Sequence, residues 1–130
     1  MPLAPLTATD QIVNVYLNSA QDEFGRLTAL ISGYTPGDPL RHCFRLPLDE
    51  TEKALSTEQI AGKVFHLLNV GDDPDMGVPD QRAFAFRLSC MRSLSVGDVL
   101  EIDGTFLAVA SLGFTEIEAP DRDTIAPPWR

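Results

Sequence analysis

Reactive side chains are sparse in this sequence, and the densest group is carboxylates. Asp72, Asp73, Asp75 and Asp80 fall in the run Asp-Asp-Pro-Asp-Met-Gly-Val-Pro-Asp. Asp73 and Asp75 with Gly77 faintly follow a calcium loop, but the twelfth position of that template, which needs an acidic ligand, is Phe84. The prolines at 74 and 79 stiffen the segment. A solvated acidic loop that meets a partner protein is the expectation, and the prolines lower the cost of ordering it on binding. Thiol chemistry needs Cys beside His. His42 and Cys43 are neighbours in an expected strand, so they point to opposite faces and form no dyad. Cys90 meets His42 or His66 only if the fold brings them together. Ser93 and Ser95 lack the glycine spacing of a nucleophile elbow. Two histidines, His42 and His66, make no zinc spacing. Asn69-Val-Gly-Asp-Asp is acidic where a phosphate cradle is neutral or basic. No catalytic residue, metal ligand or cofactor is therefore assigned.

Two other sets bear on binding. Arg82, Arg87 and Arg92 recur every five residues with Phe84 and Phe86 between them. Arginine with aromatics can stack single-stranded nucleic acid, although in a strand this spacing alternates faces. Trp129 follows two prolines near the C-terminus and suits a docking peptide.

The elements that must position these residues are legible in outline. Ile12–Leu17 alternates and is rich in β-branched residues, the mark of a strand. Gln21–Gly25 is a turn, Leu27–Tyr34 a second expected strand, and Thr35–Pro39 a strong turn. Leu40–Leu48 is a third strand, with His42, Phe44 and Leu46 expected on one face and Arg41, Cys43 and Arg45 on the other. Ser56 with Gln59 has capping-box spacing, and Ile60, Val64, Leu67 and Leu68 form one apolar stripe, which predicts a helix over 57–70. Gly71 is expected to end it in the left-handed region, and Gly62 costs it about 1 kcal/mol against alanine. The alternation of Phe84, Phe86 and Leu88 favours a strand. Val99–Ile102, Asp103-Gly104 and Thr105–Leu112 form a type I′ hairpin, with Leu100, Ile102, Phe106 and Ala108 expected against the helix. Gly97 leads in with a positive φ, and the Asp98 carboxylate is placed to hold nearby N–H groups.

The segments Ser93-Leu-Ser-Val-Gly-Asp-Val99, Asp103-Gly104 and Ser111-Leu-Gly-Phe114 resemble the end of YodL-like domains and of short uncharacterised proteins of actinobacterial genomes, plasmids and phages. Asn69–Asp75 is similar to the actinobacterial group. The resemblance covers residues 64–118 and is densest over 93–114. It departs where Leu107, Ala108 and Ala110 replace aromatic and acidic residues. It implies a link to mobile elements and their regulation, and no activity.

The totals narrow the classes. The 130 residues hold 19 acids and 10 bases, a net charge of −9, which works against phosphate-backbone and anionic-membrane binding and suits a basic partner. Residues 49–80 carry a local −6 and residues 81–130 a local −2. Cys43 and Cys90 are too few for a disulfide framework. The N-terminus lacks the features of a signal peptide, and no stretch nears the ~18 apolar residues of a membrane helix; a cytoplasmic location is the expectation.

The reading is thus an α+β fold: one domain over 1–118, a mostly antiparallel sheet with one main helix packed on a face, and a Pro-rich tail over 119–130. The expected function is a small, acidic, non-enzymatic binding or regulatory protein, of mobile-element origin, whose unknown protein partner is basic. Self-association stays open. The alternatives are a nucleic-acid-binding domain using Arg82, Arg87 and Arg92, or an enzyme using Cys90 or the Asp72–Asp80 loop.

Overall fold

The computed structural model describes residues 11–71, 73–90 and 92–126. The fold is α+β, with a six-stranded, mostly antiparallel sheet. In chain order the elements are β1 (Ile12–Asn18), α1 (Ala29–Ser32), β2 (Leu40–Pro47), α2 (Glu50–Lys53), α3 (Thr57–Val70), α4 (Gln81–Cys90), β3 (Val99–Ile102), β4 (Thr105–Val109), β5 (Phe114–Ile117) and β6 (Ile125–Ala126). The strand order is β5-β4-β3-β1-β2-β6. Among the described residues only the short β6 runs parallel to its neighbour. It lies within the segment expected as a tail, so residues 125–126 belong to the sheet.

The sheet has two differently furnished faces. One carries Val13, Val15, Leu17, Phe44, Leu46, Leu100, Ile102 and Leu107 and is covered by the buried stripe of α3 and by Ala83 and Phe86 of α4. The other holds a smaller cluster of Tyr16, Leu40, Val99 and Ala108 with Tyr34, Phe106, Ile117 and Ile125 packed around it. Helix α3 has the expected bounds, and its Ser56–Gln59 capping box is formed in both directions. The hairpin also forms, with Asp103 at φ 50° and Gly104 at φ 82°.

Several expectations are corrected. Leu27–Tyr34 is no strand: it holds the four-residue α1, and β1 pairs directly with β2. Residues 83–88 lie in helix α4. Ala83 and Phe86, three apart, are buried, while Phe84 and Leu88 are exposed; a helical period had passed for alternation because both exposed positions are apolar. Phe106 and Ala108 lie away from α3. In a two-residue hairpin Ile102 faces Thr105 and Leu100 faces Leu107, so it is Leu107 that joins the helix-side core. Gly71 stays right-handed (φ −67°). A Cβ there would meet the Leu67 carbonyl and Ala83, so close packing rather than chirality favours glycine.

A β-bulge splits β2. Val15 faces Phe44 while Tyr16 faces His42, leaving Cys43 as the extra residue. His42 therefore leaves the face of Phe44 and Leu46 for the opposite one. Cys43 turns into the helix-side core and is disulfide-bonded to Cys90, with the Cα atoms 5.7 Å apart. Two cysteines suffice for one cross-link, and it spans 47 positions of sequence.

Candidate functional site

The residues singled out in the sequence do not gather in one place. Asp73 spends its carboxylate on the Asp75 N–H (2.9 Å), capping a single 3-10 turn. Asp75 is exposed. Asp80 binds Arg82, which also takes Glu52 in a bidentate pair (2.7 and 2.9 Å) and the Pro47 carbonyl. The Glu52 side chain is 3% exposed. Burial pushes Glu52 up, but the bonds from Arg82 and from the Asp49 N–H outweigh it and hold the carboxyl below its ordinary value. Bonding to Arg82 likewise lowers Asp80 against the opposing effect of burial. Asp72 and Trp129 lie outside the described residues.

The three arginines anchor in three separate places. Arg82 ties α4 to β2 and α2. Arg87 reaches Ser93 Oγ and the Asn69 carbonyl. Arg92 donates two bonds of 2.8 Å to Asp98, which is 1% exposed and also accepts from the Asn18 and Ser95 N–H groups. The sequence had given Asp98 this role toward backbone N–H groups. Phe86 is buried, and Phe84 is the aromatic side chain between these arginines that meets solvent. Cys90 is half of the disulfide and offers no thiolate in this state. His66 is exposed in a shallow recess with Lys63, Asp73 and Val78. Among the described residues no three His, Cys, Asp or Glu side chains are gathered as metal ligands.

One titratable cluster was not foreseen. On the sheet face away from α3, Asn14 Nδ2 donates to Glu101 Oε1 (2.8 Å), and Asn14 Oδ1 lies 3.0 Å from His42 Nε2. Tyr16 stacks at 4.9 Å from His42 and reaches the same Glu101 oxygen at 3.5 Å. Burial first, then Glu101, pushes the Tyr16 phenol up to about 12. Burial, reinforced by Arg45 and opposed by Glu101, pulls His42 down. His42 thus meets the Asn14 amide, which in turn holds the Glu101 carboxylate.

The strongest binding geometry is at the far edge of the sheet. Among the described residues nothing pairs with the outer side of β5. A strand edge presents unpaired N–H and C=O groups. On one face of β5, Leu30, Ile31, Tyr34, Ala108, Thr115 and Ile117 line a cleft of about 280 Å³. On the other face Gly62, Phe65, Val109, Gly113 and Phe114 line a second recess of about 190 Å³. Gly62 opens that recess, since no atom lies within 4 Å of where its Cβ would be. Ile31 is 94% exposed and Leu112, in the β4–β5 turn, 91%. Two carboxylates belong to the edge itself: Glu116 lies on β5 and Glu118 follows its last residue. Sequence reasoning missed this site because it depends on which strand ends the sheet. The available signals were a glycine in mid-helix and the apolar Leu30, Ile31 and Leu112.

The fold and this edge together define a small α+β domain with an open strand that carries Glu116 and leads to Glu118. No family model matches the chain, and neither a curated protein nor a solved structure matches it. Among the described residues no helix is long and apolar enough to cross a membrane.

Proposed function

We propose that this chain is a non-enzymatic binding protein whose open β5 edge takes an extended, basic segment of a protein partner. The observation that carries the reading is a recess on each face of the same edge strand. Side chains of an added strand alternate between faces, so backbone pairing supplies affinity and the two recesses supply selection. Glu116 and Glu118, with the net charge of −9, favour lysine and arginine in the partner and speed encounter more than they tighten the complex. They also disfavour a second copy of the chain, because self-pairing would bring Glu116 and Glu118 of both copies together. The likeness of residues 93–114 to YodL-like domains supports a regulatory setting on mobile elements.

The test uses an eight-residue peptide alternating Lys or Arg with Val or Leu, titrated by fluorescence anisotropy. Ile31→Asn puts a neutral polar group at the first cleft from an exposed position. Gly62→Leu fills the second recess and favours the helix. Each should weaken binding by about tenfold, the loss of one buried anchor. Equal affinity for wild type and both variants, or equal affinity for a Glu-substituted peptide, would overturn the proposal.

A further inference from the structure

The disulfide lies in a cleft of its own. Leu17, Asn18, Ser19, Leu27, Arg41 and Arg92 line a space of about 280 Å³ together with both half-cystines. Cys43 is held inward by the bulge and is 6% exposed. Cys90 is the last residue of α4 and is partly exposed. A structural disulfide is ordinarily packed away from solvent, whereas exchange requires a path to one sulfur and room for the entering group. Here the space is large enough for a small thiol. Two guanidinium-bearing side chains line the cleft; Asp98 offsets the charge of Arg92, so Arg41 is the cation that an entering thiolate and a departing one meet. Arg92 keeps its pairing with Asp98, and Arg41 acts on the cleft through its charge while keeping contacts of its own.

We propose that Cys43–Cys90 is an exchangeable redox site for low-molecular-weight thiols, with preference for those bearing an anionic group. The thiolate RS⁻ attacks Cys90 Sγ, a new S–S bond forms, and the Cys43–Cys90 bond breaks. Its electron pair leaves on Cys43 Sγ, which then takes a proton from water. A second thiolate attacks the mixed disulfide, releases RSSR and leaves Cys90 as the thiolate. The protein gains two electrons, the two thiols lose them, and the end of α4 is freed from β2. This site stands apart from the β5 edge, so the failure of either proposal leaves the other standing.

The folded protein is treated with 2-mercaptoethanesulfonate or with cysteamine, quenched in acid and mapped by mass spectrometry. Rates are compared at equal thiolate concentration. Reduction should be first order in thiol, unchanged by low urea, with the adduct on Cys90. The sulfonate should react about tenfold faster than the amine, and Arg41→Gln should shrink that ratio. In Cys43→Ser the adduct formed from the corresponding RSSR should persist on Cys90, with no second thiol to expel it. Reduction that only tracks urea-promoted unfolding, an adduct on Cys43, or no charge preference would each sink the proposal.

Discussion

His42 owes its surroundings to the one extra residue of the β2 bulge. The bulge turns it toward Asn14, Tyr16 and Glu101, where it is half-buried. Burial and Arg45 lower its pKa below the ordinary 6.5, with Glu101 opposing. The folded state thus resists protonation more than the unfolded chain does. Its penalty is absent above pH 6.5, grows as pH falls toward the lowered value, and is complete below it. Urea midpoints should therefore drop between pH 7 and pH 5, and His42→Gln should flatten that drop. The carboxylates held low by Arg82 act in a separate window. Glu52 and Asp80 contribute stability that is present above their ordinary values of 4.5 and 3.8 and lost as pH falls through their lower folded values. An unchanged pH 5–7 slope in His42→Gln would remove His42 from the account. Asp98 is the other decisive residue. Asp98→Asn leaves Arg92 without its charge partner and should cost about 2–4 kcal/mol, less than a fully dry pair because the Arg92 side chain is 30% exposed. Chemical denaturation measures the difference.

At the scale of elements, what was legible was what is local. Helix α3 announces itself through Ser56, Gln59 and the Ile60–Val64–Leu67–Leu68 stripe, all within a few turns. The β3–β4 hairpin follows from Asp103-Gly104 alone. Gly97 combines a φ of 93° with a contact to Ala29 that leaves no room for a Cβ; the positive φ was readable and the contact was not. Helix α4 was misread because its buried side is narrow and its solvent side carries Phe84 and Leu88. The bulge, the disulfide and the open β5 edge depend on register and strand order, which no short window encodes. Gly62 sits between these cases: its cost to the helix was legible, whereas its place in a recess was not. Gly62→Ala should add about 0.5–1 kcal/mol to stability, since the added methyl meets open space. Thermal melting tests it. Destabilisation would mean that the recess closes around position 62 in solution.

For the molecule as a whole, the cross-link joins the sheet to its helical layer. Cys43 lies on β2 and Cys90 ends α4, so the covalent loop encloses α2, α3 and most of the helix-side core. A loop of this length removes unfolded-state entropy worth about 4 kcal/mol in the simplest chain model, and native disulfides deliver about 2–5 kcal/mol. Domains of this size have a total stability of about 5–15 kcal/mol, so the bond can decide how much of the chain is folded under stress. Around it, Phe44 meets Phe86 edge to face with ring centroids 5.6 Å apart, an apolar contact between β2 and α4 separate from the sulfur bridge. The double variant Cys43→Ser, Cys90→Ser should therefore keep the native near-ultraviolet signature while losing about 2–4 kcal/mol. Its urea m-value should rise, because an uncrosslinked unfolded chain exposes more surface. A variant with native stability and unchanged m would show that the bond constrains neither state. Loss of the near-ultraviolet signature at zero urea would show that α4 docks on the sheet only through the cross-link.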